Sequence, residues 1–226
     1  MKTRHIIGLF LFITFIAMGI GFGIGKFFAS SERAFFNSLH PTTTLFPKAQ
    51  LLVPFTLTDH QHREMNLFSL AKKWSFLFFG YTYCPDVCPN TLVILKQVYE
   101  DLVKQNDVFN TQVFFISVDP HRDTLEQLAS YTTYFNKNFL GVTGDPEHIT
   151  TLAHTLGVTY FKTSNEGNNY LIDHSAMILL IDPLLRLRAS FLPPHHAETI
   201  LSDFRKIRQY YAEECCFQPT QSSSQN

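Results

Sequence analysis

Residues 75–89 read SFLFFGYTYCPDVCP, and this segment is the most informative about the fold. Its first part, Ser75–Thr82, is a short apolar run of the kind that forms a strand buried on both faces. The residues that follow, Pro89–Gln105, place apolar side chains on one face of a helix. Two cysteines, Cys84 and Cys88, lie between them. The stretch therefore predicts a buried strand, a cysteine-containing loop and a helix.

On either side of this stretch, strands and helices alternate along the chain. Further strands are predicted at Thr111–Val118, Phe139–Thr143, Ser175–Ile181 and Leu185–Phe191. Further helices are predicted at Thr124–Phe135, Pro146–Leu156 and Glu198–Tyr211. A short additional hairpin, Val53–Leu57 with Met65–Leu67, precedes them. The order β-α-β-α-β-α-β-β-α predicts an α/β, thioredoxin-like fold in which helices flank a central mixed sheet.

Two of the predicted helices carry capping signals in the sequence. Asp123 is followed three residues later by Glu126, a capping-box pattern, so Asp123 is expected to cap the helix that starts at Thr124. Asp145 is the expected N-cap of the next helix, which has a proline at its first position and a glycine just past its end.

The composition predicts one globular domain with extensions at both ends. The chain has 226 residues, of which 45% are hydrophobic and 16% charged, and its net charge is −1. No basic stripe is visible, so nucleic acid is not an expected partner. A presequence rich in arginine and serine is also not seen, which favours a bacterial inner membrane over a mitochondrion.

The N-terminal segment predicts a transmembrane helix. Ile6–Gly25 contains no charged residue, and twenty helical residues span about 30 Å, the thickness of a bilayer core. Lys2 and Arg4 precede it, which predicts a single-pass protein with its N-terminus in the cytoplasm and its C-terminal domain in the periplasm. A cleaved signal peptide is the alternative, but its apolar region is normally shorter.

These patterns divide the chain into five segments. The predicted boundaries are 1–5 for the cytoplasmic N-terminus, 6–28 for the transmembrane anchor, 29–47 for a spacer, 48–213 for the thioredoxin-like domain and 214–226 for a polar tail. The spacer is expected because its residues show no clear hydrophobic period.

The four cysteines form two close pairs rather than a disulfide framework. Cys84 and Cys88 lie at the start of a predicted helix, whose N-terminus stabilises a nearby thiolate. Their sulfurs can converge on one soft metal ion at about 2.3 Å, or they can close a disulfide. Cys215 and Cys216 are adjacent, which makes them poor partners for each other. Metal binding or bridges to another chain are open to them, but no function is expected.

A family resemblance becomes specific at the cysteines. Cys84–Pro89 (CPDVCP) is similar to the signature of the Sco/SenC family of cytochrome c oxidase assembly proteins. Ser117–Thr124 (SVDPHRDT) resembles a second stretch of that family, with His121 where another residue is expected, and Gly141–Gly144 (GVTG) also fits. The resemblance implies a metallochaperone, not an enzyme, that delivers copper to the binuclear copper centre of cytochrome c oxidase, with a thiol-redox role debated alongside it.

The resemblance also implies a third copper ligand, a histidine after a loop that opens a strand. His174, in the run Asp173–Ala176 (DHSA), matches that position. In a thioredoxin-like sheet the preceding loop, Lys162–Ile172, returns beside the first helix N-terminus. Two thiolates, from Cys84 and Cys88, and one imidazole suit one copper ion as Cu(I) or Cu(II). Zinc is the alternative metal, although copper binds such sites more tightly.

The same cysteines leave two other functions open, a membrane-anchored thiol–disulfide oxidoreductase and a redox sensor. Three residues separate Cys84 from Cys88, where thioredoxin-type oxidoreductases typically have two, and His174 stands where such enzymes have a cis-proline.

The expected partners are the copper-accepting oxidase subunit, a thiol reductant or another copper chaperone, and the membrane through the N-terminal helix. The remaining histidines considered are read as surface residues: His60, His62, His148, His154, His195 and His196.

Overall fold

The computed structural model describes residues 34–108, 110–163 and 170–212, together with residues 15, 16, 18, 19, 22 and 26. The chain divides into two compact units, Met1–His40 and Pro41–Asn226. Most of the predicted anchor (6–28), Cys215, Cys216 and the predicted tail (214–226) lie outside the described residues. The positions of the anchor that are described are helical. Among the residues described, no helix has both the length and the apolar character needed to cross a bilayer.

Ten strands and five helices with the following bounds make up the second unit as described. The strands are β1 Thr43–Leu51, β2 Leu57–Asp59, β3 Glu64–Met65, β4 Trp74–Gly80, β5 Thr111–Ser117, β6 Phe139–Thr143, β7 Tyr160–Lys162, β8 Ile172–His174, β9 Ile178–Ile181 and β10 Arg186–Phe191. The helices are α1 Leu67–Leu70, α2 Val87–Lys104, α3 Leu125–Phe135, α4 Pro146–Thr155 and α5 Ala197–Tyr210.

Eight of these strands form one mixed sheet in the order β1-β10-β9-β4-β5-β6-β2-β3. The strands β4, β5 and β6 are parallel, whereas β9 pairs with β4 and β10 with β9 in antiparallel fashion. A second sheet, as far as the structure describes the chain, consists of β7 and β8. The prediction of an α/β fold with a mixed sheet flanked by helices is confirmed.

The two central parallel strands carry the core. Every residue of β4 and of β5 is buried, as the apolar runs predicted. Phe78 lies opposite Phe115 in the register of the pair. On the β4 side, Phe204 of α5 makes edge contacts with Trp74 and Phe76 at ring-centroid distances of 5.9 and 5.0 Å. The strand that leads into the cysteine loop is therefore buried along its whole length.

The first strand corrects the predicted spacer. β1 begins at Thr43, inside the segment 29–47 for which no regular structure was expected. It pairs with β10 at the sheet edge, and its register shifts between Leu45 and Gln50. Pro47 lies within that irregular stretch, and a proline is tolerated on an edge strand but masks the strand pattern in the sequence. The ordered domain therefore begins before residue 48.

The segment around His174 also differs from its prediction. The strand predicted at Ser175–Ile181 begins only at Ile178, and His174 instead ends the short strand β8. The two ends of the predicted loop, Lys162 and Ile172, lie in the paired strands β7 and β8, and Tyr160 of β7 lies opposite His174. These strands have three residues each, which is too short for a hydrophobic period to reveal them.

Smaller differences concern the N-terminal hairpin. It is present, but its strands β2 and β3 are shorter than predicted, and the turn of helix α1 that follows them was not expected. The strand β2 joins the hairpin to the main sheet by pairing with β6.

Candidate metal centre

The cysteine loop connects the end of β4 to the start of α2. Helix α2 begins at Val87 with Asp86 as its N-cap, two residues before the predicted start at Pro89. Cys88 therefore lies within the first helical turn, where it is completely buried, and Cys84 lies in the loop before it, half-buried. Both cysteines are free thiols.

Gly80, the last residue of β4, makes room for the buried sulfur. A Cβ atom at this position would lie 2.6 Å from Sγ of Cys88 and 2.8 Å from the ring of Phe115. Both distances are far inside van der Waals contact, and the aromatic ring is held in the core. The close approach of strand and helix at the site therefore requires a glycine here.

The sulfur of Cys84 takes the place of a capping oxygen at the start of α2. The side chain of Asp86 makes no capping hydrogen bond; its carboxylate accepts instead from the side-chain amide of Asn90 at 2.6 Å. The backbone N–H of Cys88 donates to Sγ of Cys84 at 3.4 Å. An N–H of the first helical turn that points at a sulfur favours the thiolate form, because that end of the helix carries partial positive charge.

The two thiols are made unequal by these surroundings. Hydrogen bonding from the thiol of Cys88, helped by the backbone N–H groups of Cys88 and Asp86, lowers the pKa of Cys84 to about 3 despite its partial burial. Burial raises the pKa of Cys88 above its usual value, and the nearby charge of Cys84 acts in the same direction. Without a metal, Cys84 is therefore the thiolate and Cys88 the buried thiol.

His174 completes the cluster from the other side. Its Nε2 lies 3.2 Å from Sγ of Cys88, and its ring makes edge contacts with Phe78 and Tyr81 at centroid distances of 5.9 and 6.1 Å. The ligand atoms of Cys84, Cys88 and His174 all lie within 4.8 Å of one another. Among the residues described, this is the single cluster of at least three potential metal ligands of this kind.

The contact made by Nδ1 of His174 determines which nitrogen of the imidazole carries the hydrogen. Nδ1 of His174 lies 3.2 Å from the carbonyl oxygen of Ser175. A carbonyl accepts only, so the hydrogen is on Nδ1, and Nε2 keeps a free lone pair directed toward Cys88. This is the tautomer that a histidine needs in order to bind a metal through Nε2 while its other ring nitrogen donates to an acceptor.

The donor set fits one soft or borderline ion. Sulfur and imidazole ligands at about 2.0–2.3 Å from one metal lie at most about 4.6 Å apart, close to the spacing found here. Two thiolates and one imidazole suit copper and zinc, and the thiolates favour Cu(I). The structure thus brings together the three residues that the sequence analysis selected.

The strand that carries His174 is anchored by residues that the sequence analysis did not select. Tyr170, just before β8, donates its hydroxyl to Asp119 at 2.5 Å, and Arg122 pairs with the same carboxylate at 2.5 Å. The guanidinium stacks on the Tyr170 ring at 3.6 Å. At the first residue of β8, the N–H of Ile172 donates to the hydroxyl of Tyr81, three residues before Cys84, at 3.2 Å. These contacts connect the His174 strand to the cysteine loop.

Asp123 has a different role from the predicted one. The N-cap of α3 is Thr124, whose hydroxyl accepts from the N–H of Gln127. Asp123 is buried and accepts from the N–H and hydroxyl of Thr82 at 3.0 and 2.7 Å and from the hydroxyl of Ser117 at 2.6 Å. Burial raises the pKa of Asp123, while these hydrogen bonds oppose the shift. The carboxyl fastens the start of the cysteine loop to the end of β5.

Two histidines predicted to be surface residues are half-buried and hydrogen-bonded. Nδ1 of His60 accepts from the N–H of Gly141 at 2.9 Å. Nε2 of His195 lies 2.7 Å from the carbonyl oxygen of Ala176, two residues beyond His174. Neither belongs to the metal cluster. A single sequence offers no signal for such contacts, since they depend on residues far apart in the chain.

Comparison with known proteins places these features in a family. The model of the family described as SCO1/SenC matches residues 44–209. "Protein SCO1 homolog 1, mitochondrial" of Arabidopsis thaliana is 37% identical over 165 residues, which are 72% of this chain and 49% of the relative. The chain thus spans about half the length of that relative.

Two solved structures with copper bound are similar to the chain. ScoI of Arabidopsis thaliana has a TM-score of 0.66 and 34% identity, and the match covers 71% of this chain and all of that one. ScoI of Bradyrhizobium japonicum has a TM-score of 0.63 and 33% identity, covering 70% of this chain and 99% of that one.

Proposed function

The chain belongs to the SCO1/SenC family, and from this premise we propose that it is a copper metallochaperone for the assembly of cytochrome c oxidase. It holds one copper ion between Cys84, Cys88 and His174 and passes it to the copper-accepting subunit of the oxidase. The observation that carries the proposal is the 3.2 Å approach of His174 Nε2 to the buried sulfur of Cys88, with Cys84 in the same cluster.

Loading follows from the unequal thiols. Cys84 offers a thiolate at the half-buried side of the site, so it is the first sulfur to reach an incoming Cu(I) ion. The ion then displaces the proton of the Cys88 thiol, which passes to solvent, because only a thiolate binds the metal. Nε2 of His174 needs no proton change. Loading with Cu(I) thus releases one proton overall.

Release requires an accessible ligand that can be exchanged. Cys84 is the half-buried member of the pair, and Tyr83 and Val87 beside it expose 54% and 42% of their surface. An acceptor can therefore bind against this apolar edge and exchange its own ligands for Cys84 first, while Cys88 and His174 still hold the ion.

The membrane topology is part of the same proposal. The predicted anchor, 6–28, would tether the domain to the inner membrane with the N-terminus in the cytoplasm and the domain in the periplasm. A periplasmic location would place the copper site on the side where the copper centre of an oxidase is assembled. Reporter fusions at the C-terminus test this, and activity of a reporter that works only in the cytoplasm would contradict it.

A thiol–disulfide oxidoreductase, or a redox sensor, is the second candidate function. The observation in its favour is the pairing of a thiolate at Cys84 with a buried thiol at Cys88, the arrangement of an attacking and a resolving cysteine. The two functions share the cysteines but differ in their need for His174. Disulfide exchange depends on the two sulfurs, whereas copper binding depends on the imidazole as well.

The test therefore compares His174→Ala with Cys88→Ser in cells at limiting copper. A chaperone predicts that both variants fail to assemble the oxidase and that excess copper rescues His174→Ala in part. Normal assembly with His174→Ala and failure with Cys88→Ser would overturn the chaperone proposal in favour of thiol chemistry. Metal analysis of the reduced protein, offered copper and zinc together, checks the metal, and a preference for zinc would contradict copper as the cargo.

A further inference from the structure

His195 lies outside the metal cluster but contacts the chain segment that leaves it. It stands between the Pro193-Pro194 pair and His196, the N-cap of α5. Two prolines with fixed φ angles on one side and a helix on the other restrict where its backbone can move. Its Nε2 lies 2.7 Å from the carbonyl oxygen of Ala176.

The orientation of the ring identifies the imidazole as the donor. Nδ1 of His195 is buried and has no hydrogen-bond partner among the described residues. A carbonyl can only accept, so the hydrogen is on Nε2. Burial lowers the pKa of His195, which keeps the ring neutral. Burying Nδ1 without a hydrogen-bond partner costs free energy. The ring nevertheless has the orientation in which Nε2 reaches the carbonyl of Ala176.

The contacted segment joins β8 to β9 and lies outside both strands. On one side Ser175 holds it, since its N–H donates to the carbonyl of Thr159 at 2.9 Å and its hydroxyl accepts from the N–H of Thr159 at 3.0 Å. On the other side His195 holds the carbonyl of Ala176. The peptide carbonyl between these two anchors is that of Ser175, which receives Nδ1–H of His174.

We propose that His195 is a positioning residue for the metal ligand His174. By holding Ala176, it keeps the Ser175 carbonyl directed at Nδ1 of His174, and this fixes both the tautomer and the direction of Nε2 toward Cys88. The inference rests on the proposed function, since it assigns a role in copper binding. It adds a residue that touches neither the metal nor a ligand side chain.

The two oxidation states of copper should respond differently to a loss of this support. Cu(I) is held by two thiolates, whereas Cu(II) depends more on the imidazole nitrogen. Partners that orient a metal ligand typically contribute about 10–100-fold to metal affinity. Because His195 acts through the main chain, we expect the lower end of that range for Cu(II) and little change for Cu(I).

The experiment uses the purified full-length chain in detergent with His195→Ala, His195→Leu and His195→Gln. His196→Ala is the matched control, because the neighbouring histidine is exposed and its side chain makes no capping hydrogen bond. His195→Ala and His195→Leu should bind Cu(II) about tenfold more weakly, with weakened nitrogen hyperfine structure in the electron paramagnetic resonance spectrum. His195→Gln retains a donor and should bind Cu(II) more tightly than the other two. In the metal-free protein, ¹⁵N spectra should show His174 losing its single tautomer.

His195→Leu keeps the bulk of the side chain, so it tests the proposal even if His195→Ala does not fold. Unchanged Cu(II) affinity and spectra in His195→Leu would overturn the inference, as would equal losses of Cu(I) and Cu(II). His174→Ala, measured in parallel, separates a failure of the proposed copper site from a failure of the positioning role of His195. If His174→Ala keeps its Cu(II), the proposed function itself fails; if only the His195 variants behave like the unaltered protein, the positioning role alone fails.

Discussion

The two halves of the proposed metal site are built in different ways. The cysteine half is local: Cys84 and Cys88 are four residues apart, and an N–H of the first turn of α2 points at the sulfur of Cys84. The histidine half is assembled from distant parts of the chain, since Tyr81 and Asp119 fasten the strand that carries His174. A local arrangement resists rearrangement, whereas a strand held at a few points can shift. We therefore expect the cysteine half to hold Cu(I) by itself and the histidine half to be needed for Cu(II).

The largest expected effect comes from removing a sulfur in the cysteine half. Cys88→Ser replaces a buried thiolate by a hard, protonated oxygen, so Cu(I) affinity should fall by more than about a hundredfold, beyond the range for partners that merely orient a ligand. Competition with a Cu(I) chelator measures this. The double variant Cys215→Ser/Cys216→Ser is the control and should bind normally. A full equivalent of tightly bound Cu(I) in Cys88→Ser would place the metal elsewhere.

The second effect concerns the reactivity of the two thiols. In the reduced, metal-free protein Cys84 should be a thiolate at any pH well above 3, and it loses that form only as the pH falls through its pKa of about 3. Its alkylation by iodoacetamide should therefore be nearly constant from about pH 5 to pH 9, while an ordinary thiol gains about tenfold per pH unit below its pKa of about 8.5.

Peptide mass spectrometry distinguishes the two cysteines in the same sample. Cys88 should remain unmodified at neutral pH, because its pKa is raised and it is completely buried. Equal labelling of Cys84 and Cys88, or a rate at Cys84 that climbs steeply between pH 6 and pH 8, would show that the local environment does not separate them. Either result would mean that the start of α2 does not lower the pKa of Cys84 relative to that of Cys88.

A third effect tests the packing under the cysteine half. Gly80→Ala would place a methyl group 2.6 Å from the sulfur of Cys88 and 2.8 Å from the Phe115 ring. Overpacking of a core typically costs about 1–3 kcal/mol. We expect that loss in the free energy of unfolding, together with weaker binding of Cu(I) and Cu(II) alike. Denaturant unfolding and metal competition measure the two quantities, and full retention of both would mean that the sulfur has more room than its neighbours suggest.

The smallest effect is expected from one contact of the histidine half. Tyr170→Phe removes the hydroxyl that donates to Asp119 but keeps the ring on which Arg122 stacks. A hydrogen bond to a charged group contributes about 1.5–3 kcal/mol. We expect a stability loss in that range and a few-fold weaker Cu(II) binding with Cu(I) binding unchanged. Equal weakening of both oxidation states would show that the two halves do not act separately.

The contrast between the halves also explains what the sequence could predict. The strand β4, the loop and the helix α2 follow one another, so hydrophobic period and cysteine spacing were sufficient to place Cys84 and Cys88. His174 was selected mainly through a family resemblance, because a lone histidine carries little information. The short strands β7 and β8 around it could not be predicted, since their three residues are held by contacts with remote parts of the chain.

Asp123 is a case in which a local sequence pattern predicted the wrong role, because residues far away in the chain bind its side chain. Its position before a helix and three residues before Glu126 fits a capping box, yet the structure gives the cap to Thr124. Asp123 is buried because Thr82 and Ser117, at the ends of two strands, converge on its carboxyl. A local pattern cannot reveal such a long-range competitor for a side chain, and the cost of leaving a buried carboxyl without partners decides the outcome.

X-ray absorption spectroscopy at the copper edge identifies the atoms that bind the metal. The full-length chain, reduced and loaded with one equivalent of Cu(I), should show two sulfur ligands near 2.3 Å and one nitrogen ligand near 2.0 Å, and His174→Ala should retain the sulfurs and lose the nitrogen. A nitrogen ligand that survives in His174→Ala, or a shell of three or more sulfurs, would contradict a site made of Cys84, Cys88 and His174.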